Sequence, residues 1–281
     1  MKEGPTINSV GKTFRVLEFI SETKTGCTLT ELVKGLGLSI GSAQRIINTL
    51  LELQYLGKEP KTKILRLTPR FLFFSSAFLS QSEIRETALP YMRKLNQDLD
   101  EVVNLGILMN DEEMVYIDRI SRTSHILTTN LQIGTRRPIH LSSIGKVILA
   151  FLSEAEQRRI LNGISFIKYP SKTLRHKGDL EEQLREIRKS GYYADKSELV
   201  DSIFVLTVPI FNHQGQAAAG INVSIPMSRV LEKKIKNRYI PLLIESGKNI
   251  SQALGSASKR GPWNKQRERR QALPARWPSG T

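Results

Sequence analysis

The chain has 281 residues, of which 40% are hydrophobic, and it holds 42 Lys and Arg against 27 Asp and Glu, a formal charge of +15. This length suits two domains that each bury a core, and the composition is typical of a globular protein rather than a disordered or fibrous one. No apolar run reaches the roughly 18 to 20 residues of a membrane span, and the N-terminus lacks the apolar core of a secretory signal, so a cytoplasmic protein is expected.

The positive charge is spread unevenly along the chain. Residues 1–68 contain ten basic and six acidic residues, whereas residues 256–281 contain seven basic residues and one acidic residue. That last segment is rich in proline and glycine and cannot bury a core, so a disordered basic tail is predicted at 255–281. The tail either adds nonspecific affinity for phosphates or is a passive solvated extension. Net charge alone is therefore weak evidence for a nucleic-acid partner.

The residue types that mark common enzyme and metal sites are scarce or badly spaced. The single cysteine, Cys27, excludes an intramolecular disulfide and a multi-cysteine zinc site, and the four histidines lack ligand spacing. Residues 35–41, GLGLSIG, miss the spacing of a dinucleotide-binding loop and follow a helix rather than a strand. Asp118, His140 and Ser143 have no spacing that supports a hydrolytic trio. No catalytic residue, metal or other cofactor is predicted.

The first elements of the chain carry clear helix signals. Apolar residues recur at helical spacing over 9–21, which predicts a first helix. Thr28 and Glu31 have the T-x-x-E spacing of a capping box, so a short second helix begins there and ends at Gly37, a residue suited to the left-handed position after a helix. Ser39 caps a third helix.

The third helix and the following turn carry the first functional signal. Alternating residues at 64–67 after a lysine-rich turn predict the returning strand of a hairpin. This order is typical of a winged helix-turn-helix, in which the third helix enters the major groove and the hairpin lies along the phosphates. The predicted DNA contacts are Thr28, Ser39, Gly41, Ser42, Gln44, Arg45, Asn48, Lys58, Lys61 and Lys63. An ordinary helical subdomain, or a winged helix that binds protein, remains an alternative.

The segment from residue 70 to 80 is apolar and helical in period, and it is predicted to connect two domains. Its large side chains need a partner, which packing within one subunit or helix pairing between two subunits would supply. Pro90 lies in the next helical stretch, 82–99, where it marks either a first turn or a kink.

The rest of the chain mixes two periodicities. This mixture predicts an α+β domain, a sheet with helices packed on it. Strand-like segments occur at 102–109, 114–120, 125–131, 203–211 and 217–225, and helix-like segments at 141–152, 154–161, 179–190 and 228–254.

A polar loop at 134–146 leads into an apolar helix. The start of a helix offers unpaired amides and a partial positive charge, which suits a carboxylate ligand. A plain loop with a serine cap is the alternative.

Several motifs, in order, resemble the IclR family of transcriptional regulators between residues 7 and 254. They are SV at 9–10, VLE at 16–18, LGLSIGSAQR at 36–45, YIDR at 116–119, IGTRRPIHLSSIGK at 133–146, RKSGY at 188–192 and VPI at 208–210. The tail has no counterpart in this pattern.

The resemblance implies a winged helix-turn-helix at 1–68, a dimerising linker helix at 69–81 and a GAF-like effector domain at 82–254, assembled as a dimer or a pair of dimers. Members of the family typically bind small organic acids. By motif position, the resemblance also implies an effector pocket lined by Thr129, His140, Ser143, Ile144, Asp195, Val205, Asn222 and Ser224, with Ser143 and Ile144 contributing through their amides.

The chain departs from the family pattern beside this pocket. Ser202 stands where a glycine is usual, Phe204 where an arginine is common, and Lys196 rather than an acid follows Asp195. The chain resembles the family subgroup that controls aromatic-acid and β-ketoadipate catabolism at two places, the NVS sequence at 222–224 and Arg229. The expected function is that of a DNA-binding regulator, and repression is favoured over activation. Its expected effector is a small organic acid from the catabolism of aromatic acids or sugar acids. The rivals are an enzyme that processes a small acid and a helical adaptor without a DNA role.

Overall fold

The computed structural model describes residues 6–121, 131–164, 166, 176–196, 200 and 202–256. The chain divides into two compact units, residues 1–81 and residues 82–281. The predicted strand at 125–131, except its last residue, and all but two residues of the predicted tail lie outside the described residues. Within the described residues no helix is long and apolar enough to cross a membrane.

The first unit contains short helices and one small hairpin. Its elements are α1 (Asn8–Glu22), α2 (Leu29–Leu36), α3 (Ile40–Glu52), β1 (Leu56–Lys58), β2 (Leu65–Leu67) and α4 (Phe71–Ser80). The strands pair antiparallel, with Leu56 opposite Leu67. The backbone of Cys27 bonds that of Leu65 in both directions, at 3.2 and 2.8 Å, which joins the segment before α2 to the hairpin.

The predicted start and end of α2 and the predicted start of α3 are confirmed by their caps. The Thr28 side chain accepts the amide hydrogen of Glu31, whose carboxylate accepts the Thr28 amide hydrogen at 2.8 Å. This backbone hydrogen bond lowers the pKa of Glu31. Gly37 ends α2 with φ 62°, and Ser39 accepts the amide hydrogen of Ser42 at 3.3 Å to start α3. Local side-chain chemistry therefore sets the helix-turn-helix geometry.

The core of the first unit lies between the helices and the hairpin. It contains Val16, Ile20, Cys27, Leu32, Ala43, Ile46, Ile47, Leu50, Leu56 and Leu65. The apolar residues of α1 are only partly buried: Val10 and Phe14 are 49% and 61% exposed, whereas Val16 and Ile20 are buried.

The second unit is an antiparallel sheet covered by helices on both faces. Its elements are α5 (Glu83–Leu99), β3 (Val102–Leu108), β4 (Glu113–Ile120), β5 (Arg136–Pro138), α6 (Ser143–Phe151), α7 (Glu154–Gly163), α8 (Lys177–Ser190), β6 (Tyr193–Lys196), β7 (Ile203–Phe211), β8 (Ala217–Pro226), α9 (Glu232–Lys234) and α10 (Ile240–Ala253). The described strands lie in the order β5-β4-β3-β8-β7-β6. This arrangement confirms the predicted α+β class.

Glycines show how closely the helices approach the sheet. A Cβ added to Gly106 of β3 or Gly220 of β8 would lie 3.2 or 3.1 Å from the Ile144 side chain, so α6 packs directly on that face. On the other face, a Cβ on Gly247 of α10 would lie 2.7 Å from Val208 of β7. Because side chains alternate along a strand, the two helices meet different residue sets of the same strands.

Several sequence predictions for this unit were wrong. The loop predicted at 134–146 contains strand β5, and β6 was not predicted; both are short edge strands with little periodic signal. The helix predicted over 228–254 is interrupted: a 3-10 turn (Met227–Arg229) and α9 precede a π-helical segment (Ile235–Tyr239) and α10. Pro241 follows the π-helical segment closely. Because proline has no amide hydrogen, it cannot donate a helical hydrogen bond there, which is consistent with the interruption. Of the two alternatives for Pro90, the first turn is wrong, because Pro90 lies in the middle of α5.

Candidate DNA-binding and effector sites

Helix α3 presents one polar face to solvent. Gly41, Arg45 and Asn48 are exposed, and Ser42 and Gln44 are half-buried, while the opposite face of α3 is in the core. Gln44 Nε2 donates to Asn48 Oδ1 at 2.7 Å, so the two amides form one unit on the surface. This face has the donors, acceptors and cation that base edges and phosphates require.

Two predicted DNA contacts already have structural roles. The Thr28 hydroxyl donates to the Glu31 carboxylate at 2.9 Å and accepts the Glu31 amide hydrogen at 3.3 Å. The Ser39 hydroxyl is the cap of α3. Ser39 is exposed and Thr28 is half-buried, so any contact that they make with DNA is shared with the cap.

The wing carries three exposed lysines. Lys58 ends β1, and Lys61 and Lys63 lie in the turn before β2. The turn is closed by backbone hydrogen bonds of 2.9 Å from Lys63 to Glu59 and from Glu59 to Ile64. The closed turn holds the lysines on one short loop, where they can neutralise adjacent phosphates.

In the second unit, a buried polar cluster lies on the face of the sheet that α6 covers. Asn104 of β3, Asn222 of β8 and Thr207 of β7 are in register across three strands. Asn104 Nδ2 donates to Asn222 Oδ1 at 2.7 Å and to Ser224 Oγ at 3.2 Å. Asn222 Nδ2 donates to Ser143 Oγ at 3.3 Å. The hydrogen bonds therefore join the sheet to the first residue of α6.

The N-terminus of α6 adjoins this cluster, because Ser143, its first residue, accepts the hydrogen bond from Asn222. The Ser142 side chain accepts the Gly145 amide hydrogen at 3.3 Å and caps the helix. The amides of Ser143 and Ile144 belong to the first turn, where no helical acceptor exists, and no described residue accepts from them. Both residues are buried, so an anion or a water would be needed to satisfy these two donors.

A second unsatisfied group lies on the same face. The Thr207 side chain is fully buried, and its hydroxyl has no hydrogen-bond partner among the described residues. Thr207 is in register with Asn222 on one side and with Tyr193 of β6 on the other. Buried hydroxyls are normally paired in folded proteins. A polar ligand at this face would give it a partner.

Two basic side chains are buried near the same helix. The Lys146 ammonium lies 3.2 Å from the Tyr193 hydroxyl and 4.9 Å from the centre of its ring. His140 is 6% exposed and meets the Phe166 ring at a centroid distance of 5.5 Å. A cation buried one turn from free helix amides makes the electrostatic environment favourable for a negative charge.

The structure brings together most of the predicted effector residues. Ser143, Asn222 and Ser224 share the hydrogen-bonded cluster, and Ile144 contacts the same sheet face. Asp195, Val205 and Ser224 are in register on neighbouring strands. His140 is buried just before α6, and Thr129 lies outside the described residues.

Sequence reasoning missed Asn104, Arg119 and Thr207. Arg119 Nη1 donates to Asn104 Oδ1 at 3.1 Å, and burial lowers the pKa of the guanidinium. Asn104 and Thr207 are isolated polar residues inside apolar strands. That interruption was the available signal, because a polar side chain in an otherwise buried strand needs a partner.

The hydrolytic trio is not formed. Asp118 is paired with Arg85 of α5, and Ser143 accepts its hydrogen bond from Asn222 rather than from His140. No cluster of possible metal ligands occurs in the described part of the chain.

Two family models match this architecture. The IclR helix-turn-helix domain matches residues 9–60, and the bacterial transcriptional regulator IclR C-terminal domain matches residues 76–252. The chain therefore belongs to the IclR family. It is a DNA-binding transcriptional regulator with a C-terminal effector-binding domain.

Comparison with individual proteins agrees with this assignment. The chain is 29% identical to the regulator XynR of Escherichia coli over 251 residues. The aligned segment covers 89% of this chain and 98% of XynR. The structure of a transcriptional regulator from Rhodococcus sp. RHA1 is 26% identical, with a TM-score of 0.74, over 89% of this chain and 98% of that one. An IclR homologue from Microbacterium hydrocarbonoxydans, crystallised with 4-hydroxybenzoate, shares the fold at 21% identity and a TM-score of 0.71, over 88% and 99% of the two chains.

Proposed function

We propose that the protein is a repressor whose affinity for its operator is changed by a small organic acid bound at the N-terminus of α6. The observation that carries this proposal is the pair of buried, unpartnered amides of Ser143 and Ile144 on the sheet face that holds the Thr207 hydroxyl. A carboxylate would accept from the amides and gain from the helix dipole.

The remaining polar groups would recognise the rest of the effector. His140, Asn222, Ser224 and Asp195 offer hydrogen bonds, and Val205 and Ile144 offer apolar contact. Thr129 is assigned to the pocket on the family resemblance alone. An aromatic hydroxy acid fits this mixture of donors, acceptors and apolar surface, and the 4-hydroxybenzoate bound by the Microbacterium homologue supports that class. A sugar acid is the second class to test.

The protein would act on DNA as a dimer or a pair of dimers. Helix α4 has no buried residue, and Leu72, Phe73, Phe74 and Phe78 are 53 to 74% exposed. Val10 and Phe14 of α1, and Ile7 directly before it, are 49 to 70% exposed. Apolar surface of this extent in one small unit favours contact with a second copy of the chain. We therefore propose that 1–68 is the DNA-binding domain, 69–81 the dimerising linker and 82–254 the effector domain.

The DNA contacts proposed for each half-site follow the geometry of the first unit. The polar face of α3, with Gly41, Ser42, Gln44, Arg45 and Asn48, would enter the major groove. Thr28 and Ser39 at the helix starts, and Lys58, Lys61 and Lys63 in the wing, would contact phosphates. The acid would shift the equilibrium between two arrangements of the paired domains and so change operator affinity.

A ligand screen on the full chain tests this proposal. Benzoate, 4-hydroxybenzoate, gluconate and galacturonate, each with its neutral amide, are added in thermal unfolding experiments and in titrations with the DNA upstream of the protein's own gene. An effector raises the unfolding midpoint and changes the DNA affinity, while its neutral amide does neither. Thr207→Val and Asn222→Leu should abolish both responses.

Two results would overturn the proposal. One is a panel in which no acid changes either the midpoint or the DNA affinity. The other is conversion of the acid by the full chain, which would favour the enzyme that the sequence left open as a rival, because a sensor releases its ligand unchanged.

A further inference from the structure

The recognition helix starts with an exposed isoleucine. Ile40 is the first residue of α3, directly after the Ser39 cap, and 67% of its surface is exposed. A Cβ added to the next residue, Gly41, would meet nothing within 4 Å. The tip of α3 is therefore open at Ile40 and Gly41, and its one large side chain is apolar.

Ile40 also begins a row of residues along α3. Residues four apart lie above one another on a helix, so Ile40, Gln44 and Asn48 form one row. Gln44 and Asn48 are joined by their 2.7 Å hydrogen bond, and Arg45 is exposed beside them. An apolar side chain at the head of a polar, cationic face indicates a partner that is polyanionic overall but presents an apolar group at this point.

The major groove of DNA has such a group. The C5-methyl of thymine is the apolar feature among the base edges, and residues at the N-terminal end of a recognition helix are the ones that contact these edges. Isoleucine cannot form side-chain hydrogen bonds, so it cannot read the other edge features. We propose that Ile40 determines operator specificity by packing against the methyl group of a thymine in each half-site. This inference rests on the proposed insertion of α3 into the major groove.

The test removes the methyl group and the side chain in turn. The probe is a duplex that the full-length wild-type chain enriches from a random-sequence pool. Each thymine of this duplex is then replaced, one at a time, by deoxyuracil, which lacks only the methyl group. At one thymine of each half-site, we expect the wild-type affinity to fall about fourfold, the effect of losing one buried methyl contact. Ile40→Ala should bind the thymine and deoxyuracil probes equally at that position.

A matched control uses the other end of the same helix. Leu53 follows α3, is 50% exposed and should be distant from the bases, so Leu53→Ala should retain the full response to deoxyuracil. Unchanged unfolding midpoints of both variants show that they are folded.

The possible failures are distinct. If the wild-type chain is indifferent to every deoxyuracil, or if Ile40→Ala keeps the wild-type response, the assignment of Ile40 is wrong while DNA binding stands. If no duplex is enriched, insertion of α3 into DNA is itself refuted, and the role of Ile40 with it.

Discussion

Arg85 Nε of α5 lies 2.9 Å from Asp118 Oδ2 of β4, on the sheet face opposite the polar cluster. The Asp118 side chain is only 6% exposed and that of Arg85 21% exposed. The neighbouring residue, Arg119, contacts Asn104 on the other face. Two adjacent residues of β4 thus connect the helix on one side of the sheet with the polar cluster on the other.

Removing one member of this pair should be more costly than removing both. Arg85→Met leaves a buried carboxylate without its cation and should lower the free energy of unfolding by about 2 to 3 kcal/mol, a value reduced for the partial exposure of Arg85. Adding Asp118→Asn should recover most of that loss. Urea unfolding followed by circular dichroism measures both.

The exposed pair on the same helix is the control. Lys94 and Asp98 are 3.3 Å apart, with side chains 74% and 35% exposed, so Lys94→Met should change the free energy of unfolding by less than about 1 kcal/mol. Equal losses for Arg85→Met and Lys94→Met would contradict the importance of burial here.

Gly145 is required by close packing at the start of α6. A Cβ at this position would overlap the carbonyl group of Ile139, which is fully buried. Gly145→Ala should therefore lower the free energy of unfolding by about 2 kcal/mol and weaken effector binding, because the candidate site is next to it. Gly163→Ala, whose Cβ would meet nothing within 4 Å, should be neutral or slightly stabilising. A neutral Gly145→Ala would show that α6 is not held this close.

Gln183 of α8 is a buried amide without hydrogen bonds. It is 2% exposed, and neither its nitrogen nor its oxygen has a partner among the described residues. Gln183→Leu should raise the free energy of unfolding by about 1 kcal/mol, since it removes an unsatisfied polar group. Gln157→Leu is the matched control and should lower it by a similar amount, because Gln157 donates to the Leu149 carbonyl at 2.8 Å. Destabilisation by Gln183→Leu would indicate that Gln183 has a bound partner.

Cys27 should be a protected thiol. It is 3% exposed, and burial, with the nearby Glu31 carboxylate, raises the pKa of the thiol. Alkylation by iodoacetamide at pH 8 should be at least about tenfold slower in the folded chain than in urea. Because the folded state holds the proton more tightly, the contribution of Cys27 to stability is present at low pH and declines as the pH rises above about 8.5, the pKa of an unperturbed thiol. Equal alkylation rates would refute this burial.

Arg45 and the wing lysines should affect DNA binding in different ways. Arg45→Ala should cost about 1 to 3 kcal/mol on the operator and little on random DNA, if Arg45 contacts base edges. Lys61→Ala should weaken binding to all sequences alike and reduce the slope of affinity against salt by about one. Fluorescence titration of both duplexes at two salt concentrations separates these effects. Unchanged discrimination by Arg45→Ala would assign that side chain to a phosphate.

The two units differ in how far they could be predicted. In the first, Thr28, Glu31, Gly37 and Ser39 act on their own neighbourhood in the chain, so helix starts and stops were readable from spacing. In the second, β5 and β6 contain three and four residues and depend on pairing with β4 and β7. Strands this short have no periodicity of their own, so tertiary pairing alone forms them.

The helix-turn-helix, its caps and the polar face of α3 were determined by the sequence alone, because each depends on residues within a turn or two of one another. The candidate effector site was decided by the tertiary structure. Asn104 and Asn222 are 118 residues apart and meet only because β3 and β8 pair antiparallel in one register. Motif resemblance located Asn222, the sheet register added Asn104 and Thr207, and the packing of α6 brought Ser143 to the same face. These contacts form because the strands pair in one register with this face buried, and no local sequence pattern encodes that pairing.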